Sequence, residues 1–189
     1  MGQFTKVPQD TFDGLQMDAG ILLSNFNPAN PNVQDADIIT ATTGGFKIDV
    51  TPTYSDLGED VDNVPTNTKE LKHLDGWEVK ASTTCLGTKP ANVKLALGCA
   101  DIDGTDATKI VPRNELKQTD FNDIWWVGDK ANGGFFAVKI KNALSTGGFS
   151  VQTTKNGKGT FSLELTGHPS ISNTDEVPVE FYSTDGTGV

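Results

Sequence analysis

Trp77-Glu78-Val79-Lys80-Ala81-Ser82-Thr83-Thr84-Cys85 decides the fold class. Trp77, Val79, Ala81, Thr83 and Cys85 fall on one side of an extended chain, and Glu78, Lys80, Ser82 and Thr84 on the other. This period of two belongs to a half-buried β-strand and not to a helix. The same alternation occurs upstream, where Phe46, Ile48 and Val50 interleave with Lys47, Asp49 and Thr51. It returns downstream, where Phe161, Leu163 and Leu165 interleave with Ser162, Glu164 and Thr166. Three such segments predict a sheet with one apolar and one polar face.

The flanking sequence extends the pattern. Asp18 to Phe26 reads as a short strand ended by Asn27, Pro28 and Pro31, and Ile38 to Thr43 as another that Gly44-Gly45 breaks. Strands over 123–129 and 135–141 form a hairpin around Asn132-Gly133-Gly134. Strands over 149–154 and 160–167 form a second around Asn156-Gly157. Lys109 to Val111 suits a short strand, and Val177, Val179 and Phe181 a last one. One helix is expected over about residues 90–100, with Thr88 able to cap it, Pro90 in its first turn, and Val93 and Leu97 four apart. The fold class is therefore mainly β: a β-sandwich or barrel with one flanking α-helix, a single domain over residues 1–189. Residues 1–17 read as an N-terminal arm and 183–189 as a flexible C-terminal end. Residues 54–75 carry many charges and few apolar side chains, and read as one long inter-strand loop that gains order from a partner.

Composition narrows the function. The chain of 189 residues carries a formal charge of -10, which disfavours a sequence-reading nucleic-acid binder. Like charge also suits a channel that must pass DNA without gripping it. No stretch near the start reads as a secretory leader, and the longest apolar run, near Gly20 to Leu23, is far short of a membrane span. The expectation is a soluble, unprocessed protein of the cytosol. Cys85 and Cys99 make no disulfide framework and lack zinc-ligand spacing, so each is expected as a small buried apolar group.

No motif carries chemistry. His73 and His168 are the two histidines, and neither has a nucleophile signature around it. Asp101-Ile102-Asp103-Gly104-Thr105-Asp106 resembles a calcium loop until its spacing is checked: Gly is fourth and the twelfth residue is Pro112. Asn156-Gly157-Lys158-Gly159-Thr160 lacks phosphate-loop spacing and suits a hairpin tip. The expectation is no enzyme, no catalytic residue, no metal and no cofactor. Trp125-Trp126 is the sharpest local feature, because adjacent strand residues face opposite ways. One is expected in the core and its neighbour at a subunit interface, with a sugar-stacking platform as the alternative.

Several segments together resemble a known family. These are Trp125 to Gly128, Gly133 to Ala143, Asn156 to Phe161, Thr166-Gly167-His168, and Val177 to Tyr182. They are similar to the C-terminal half of the major tail proteins of long-tailed bacteriophages, the resemblance covering about residues 76–182. It implies a tail-tube subunit: a β-sandwich that forms rings of six, with the rings stacked into a tube through which DNA leaves the capsid. The long loop would contact the next ring, which assigns stacking to Tyr54, Asp56, Leu57, Glu59, Asp60, Asp62, Lys69, Glu70 and Lys72. The arm and the C-terminal end would add inter-subunit contacts. Asp49, Glu78 and Glu164, on polar strand faces, are the lumen-facing candidates, and Trp125 and Trp126 the subunit-interface candidates. The partners implied are further copies of the chain, a tape-measure protein and tail-tip or terminator proteins. DNA would pass without sequence-specific binding, and no membrane is involved. The place would be the virion tail, assembled in the bacterial host cytoplasm. The alternatives are a carbohydrate-binding β-sandwich using Trp126 or Trp77, the tube protein of a contractile injection system, and a small hydrolase.

Overall fold

The computed structural model describes residue 4, residues 6–8 and residues 10–186. Among the described residues ten strands and one α-helix follow in order, with three short 3-10 turns between them: β1 Ile21–Leu23, β2 Ile38–Asp56, β3 Lys72–Leu86, α1 Pro90–Leu97, β4 Ala100–Ile102, β5 Ile110–Pro112, β6 Asn122–Asp129, β7 Phe135–Ser145, β8 Val151–Gln152, β9 Thr160–Thr166 and β10 Val179–Ser183. Eight strands form one antiparallel sheet in the order β10-β7-β6-β1-β2-β3-β9-β8, and β4 and β5 make a small separate pair.

The large sheet closes on itself. The last residues of β7 also pair with β9, Leu144 opposite Thr166 and Ser145 opposite Leu165. This joins β7, β6, β1, β2, β3 and β9 in a circuit, so the fold is a flattened, sandwich-like barrel. Its interior is the apolar face foreseen from the alternation: Val79, Ala81 and Cys85 of β3 and Phe161, Leu163 and Leu165 of β9 pack against Leu22, Ile124 and Ile140. A second core lies on the other side of β6 and β7, where Phe26 and Val33 of the loop after β1 cover Trp125, Val127 and Ala137. Both faces of this part of the sheet are thus dry, which explains its continuous apolar sequence.

The helix is shorter than expected. It starts at Pro90 with Lys89 as its cap residue; Thr88 does not cap it. It ends at Gly98, whose φ of 70° is left-handed and whose Cβ, if present, would lie 2.8 Å from the Ser145 carbonyl. Only glycine fits there. Ser145 Oγ donates to the Ala96 carbonyl at 2.7 Å and ties the helix to β7.

Other boundaries move for physical reasons. The two short strands expected on either side of Gly44-Gly45 are one strand, β2. Both glycines take positive φ and form a bulge between the pairs Thr43–Thr84 and Phe46–Thr83, so the ladder bends without breaking. The expected loop of residues 54–75 is shorter at both ends: Tyr54 pairs with Leu74, Ser55 with His73 and Asp56 with Lys72, leaving residues 57–71 as the connection. The arm is attached at its end, where Met17 N donates to the Asp129 carbonyl and Ala131 N to the Leu15 carbonyl; residues 1–3, 5 and 9 lie outside the described residues. The expected C-terminal end also starts tied down. Ser183 belongs to β10, Thr184 N donates to the Phe135 carbonyl, and Asp185 pairs with Lys130 at 3.3 Å. Residues 187–189 lie outside the described residues. Both cysteines are free thiols, with Cys85 buried and Cys99 partly so.

Candidate functional site

The most unusual feature is the length and isolation of β2. It pairs with β1 only at Ile38 and Thr40. From Thr42 to Asp56 its one partner among the described residues is β3. β3 in turn has β9 on its far side only over Lys80–Leu86. The β2–β3 hairpin therefore leaves the body of the barrel and projects with both backbone edges open. Free edges of this length invite another strand.

The hairpin's inner side continues the core pattern past the point where the body covers it. Pro52 faces Trp77 and Tyr54 faces Leu74, in the same alternation as Phe46, Ile48 and Val50. Trp77 is 40% exposed, Leu74 43%, Tyr54 53% and Leu57, at the start of the connection, 63%. This apolar stripe is uncovered. The parity of Pro52 and Tyr54 with Phe46 was visible in the sequence, but the charges around them masked it.

The connection carries hydrogen bonds of its own. Asp56 accepts N–H groups from Gly58 at 3.0 Å and Asn67 at 2.7 Å, and Lys72 Nζ reaches Asn67 Oδ1 at 2.8 Å. The Asn67 and Gly58 amides hold the Asp56 carboxyl below the ordinary carboxylate range. Buried Gly58 sits against Leu71 and Val64. Asp60, Asn63 and Asn67 adopt left-handed backbone, which Asp and Asn tolerate better than bulky residues do. Of the expected stacking residues, Glu59, Asp60, Asp62, Lys69 and Glu70 lie on this connection, Tyr54, Asp56 and Lys72 on the strand ends, and Leu57 between them.

The three lumen candidates do share a surface. Asp49, Glu78 and Glu164 all lie on the polar face of β2, β3 and β9, opposite the buried residues of the interior. Asp49 is registered with Lys80, Thr51 with Glu78, Lys47 with Ser82, and Ser82 with Glu164. Lys47 Nζ meets Asp49 Oδ2 at 2.6 Å and Lys80 Nζ meets Glu78 Oε1 at 2.5 Å.

The tryptophans face opposite ways as expected, but both pack on their own chain. Trp125 is 7% exposed, edge-on to Phe26 and tilted against Tyr182, with Lys139 Nζ 5.5 Å over its ring. It is therefore not available at a subunit surface. Trp126 stacks on Phe46 at 6.1 Å, and its Nε1 donates to the Ala19 carbonyl at 3.0 Å. Gly20, with a φ of 69°, lies so close that a Cβ would come within 2.6 Å of the indole. Phe136 and Phe181 carry this aromatic row to the surface at β10. The row joins residues from distant strands, so no local pattern announced it.

Arg113 was missed altogether. It joins Asp120 at 2.5 Å and Asp101 at 2.8 Å, and Asp101 also pairs with Lys117 at 3.0 Å. Burial pushes the Asp120 carboxyl up, but the Lys117 amide and the Arg113 guanidinium outweigh it and leave the group below its ordinary value. This knot fastens the β4–β5 excursion to the start of β6. The expected turn at Asp101 to Asp106 is present, with Asp103 accepting from Thr105 and Lys109. His168 packs edge-on to Phe121, and His73 is exposed on the hairpin. Among the described residues no group of three or more His, Cys, Asp or Glu side chains is gathered as metal ligands would be, and no helix is long and apolar enough to cross a membrane.

Comparison with protein-family models and with curated proteins returned no match.

Proposed function

We propose that this chain is a structural subunit of a tube, the tail tube of a long-tailed bacteriophage, with no catalytic role. The observation that carries the proposal is the projecting β2–β3 hairpin with its open edges and uncovered apolar stripe. A free strand edge can take a strand of a neighbouring copy, which would extend the sheet around a ring. The hairpin tip, ordered by Asp56 in advance, would dock on the next ring at little entropic cost. The polar face of β2, β3 and β9 would then line the channel through which DNA passes. Tape-measure and tail-tip or terminator proteins would set the tube's length and ends. The resemblance in sequence over residues 76–182 supplies the identity of the tube and the ring of six. The tube of a contractile injection system would use the same geometry.

Negative-stain electron microscopy with light scattering on concentrated protein tests the proposal. Rings or hollow tubes are expected. A 20.2 kDa monomer at every concentration, with tryptophan fluorescence that responds to glycans, would overturn it in favour of a sugar-binding sandwich, with exposed Trp77 as the stacking residue.

A further inference from the structure

The polar face of β2, β3 and β9 differs from a simple acidic lining, because lysines stand in it. Residues two apart on a strand share a face, about 6.5–7 Å apart. Lys47 and Asp49 meet in this way along β2, and Lys80 and Glu78 along β3, at 2.6 and 2.5 Å. Across the ladder Lys80 is also registered with Asp49, so it has a carboxylate along its strand and another beside it. Lys47 is registered with Ser82, whose partner on β9 is Glu164. Positive and negative groups thus alternate along and across the strands, with two lysines against three carboxylates. Thr51, Thr84 and Ser162 fill positions between them.

We propose that this face is built to let a nucleic-acid duplex slide over it, because each lysine that could grip a phosphate is masked by a carboxylate on its own strand. The identity of the polyanion rests on the tube reading; the masking rests on the ion pairs and register alone. Exposed pairs of this kind add little to stability, about 0–1 kcal/mol each. Their effect here is on the field outside the sheet. At physiological salt charges are screened over about 8 Å, close to the spacing at which the signs alternate. A phosphate therefore meets no run of positive charge, and a duplex finds neither a grip nor a strong repulsion. A lining of unpaired lysines would hold DNA through counterion release.

The test is a triple variant, Asp49→Asn, Glu78→Gln and Glu164→Gln, which keeps side-chain shape and unmasks Lys47 and Lys80. Binding to a short double-stranded DNA of mixed sequence is measured by fluorescence anisotropy across a salt series, with thermal melting to verify folding. The wild type is expected to show no saturable binding. The triple variant should bind, and its affinity should fall about twelvefold between ~50 and ~200 mM salt, the value for two phosphate contacts at a slope of about 0.9 each. Adding Lys47→Gln and Lys80→Gln to the triple variant should abolish the gain. A folded triple variant that binds no better than wild type overturns the masking, as does wild-type binding that Lys47→Gln/Lys80→Gln removes. Electron microscopy of the same samples separates the two proposals. Tubes without the gain in binding sink the masking alone, whereas the gain in a protein that never assembles supports the masking and sinks the tube.

Discussion

Replacing Leu57 with serine separates the docking role proposed for the hairpin from the stability of the folded chain. Leu57 is 63% exposed, and its backbone N–H, which donates to the Leu71 carbonyl at 2.9 Å, is unchanged by the substitution. The free subunit should therefore melt as wild type does, within about 0.5 kcal/mol, the usual effect of a surface change. In a stacked tube the outcome differs. Complete burial of a leucine side chain is worth about 1.5–3 kcal/mol, so covering the share still exposed contributes about 1–2 kcal/mol per subunit. That is a loss of about 5- to 30-fold in the association constant for each contact, repeated around a ring. The critical concentration for assembly, read by light scattering and checked by microscopy, should rise accordingly. Leu163→Ala is the contrasting control: it opens a cavity in the barrel interior, where Leu163 is 1% exposed, and should cost about 2–5 kcal/mol of subunit stability. If Leu57→Ser assembles at the wild-type concentration with an unchanged melting temperature, the tip is not covered in the assembly and the stacking role assigned to the hairpin is wrong.

Three further outcomes follow from particular contacts. Asp56→Asn should speed hydrogen exchange at the Gly58 and Asn67 amides without changing exchange in β9, because the carboxylate holds those two groups. The folded pKa of Asp56 lies below the unfolded value, so the order it confers is complete above the unfolded value of about 3.9 and is lost as pH falls through the folded one; tip exchange in the wild type that stays constant through that range would contradict this. Burial pushes the Cys85 thiol up to about 11, while Cys99 is only partly buried. A thiol reagent at mildly alkaline pH should therefore label one cysteine in the folded protein and both in denaturant, and rapid double labelling of the folded chain would refute the packing described for Cys85. Gly20→Ala should destabilise the subunit, by at least the ~1–2 kcal/mol that a left-handed backbone costs a residue with a side chain and more through its clash with Trp126; an unchanged melting temperature would mean the Trp126 pocket is misdescribed.

What the sequence disclosed depended on whether a feature was local. The strict alternation of Val79 to Cys85 and Phe161 to Leu165 marked two walls of the core correctly, since a one-residue slip would have turned every side chain to the other face. The same alternation placed Asp49, Glu78 and Glu164 on one surface. Features that join distant strands were invisible: the Phe46–Trp126 stack, the Arg113 knot, and closure of the barrel through β7 and β9. Gly44-Gly45 misled, because two glycines look alike whether they end a strand or bulge it. The charged sequence after Tyr54 misled for a related reason. The charges announced the loop over residues 57–71 but hid the last pairs of the hairpin, Tyr54 to Asp56 with Leu74 to Lys72, which lie past the point where the body of the barrel covers the strands.

The open edge of β2 would be a hazard to a monomer, and β2 carries the devices that limit such hazards. Lys47 stands on it, the Gly44-Gly45 bulge bends it, and Pro52 interrupts it. Proline is tolerated within a strand where its missing donor faces away from the existing ladder, so at Pro52 the missing N–H faces the open edge. The longest run of backbone groups that a strand added by a neighbouring copy would find uninterrupted lies between the bulge and the proline, over Phe46 to Thr51. That segment carries the Lys47–Asp49 pair on its polar face and packs Ile48 and Val50 against the core on the other. The bulge and the proline thus bracket one short register of the open edge, a feature that would favour specific pairing over aggregation in the ring proposed above.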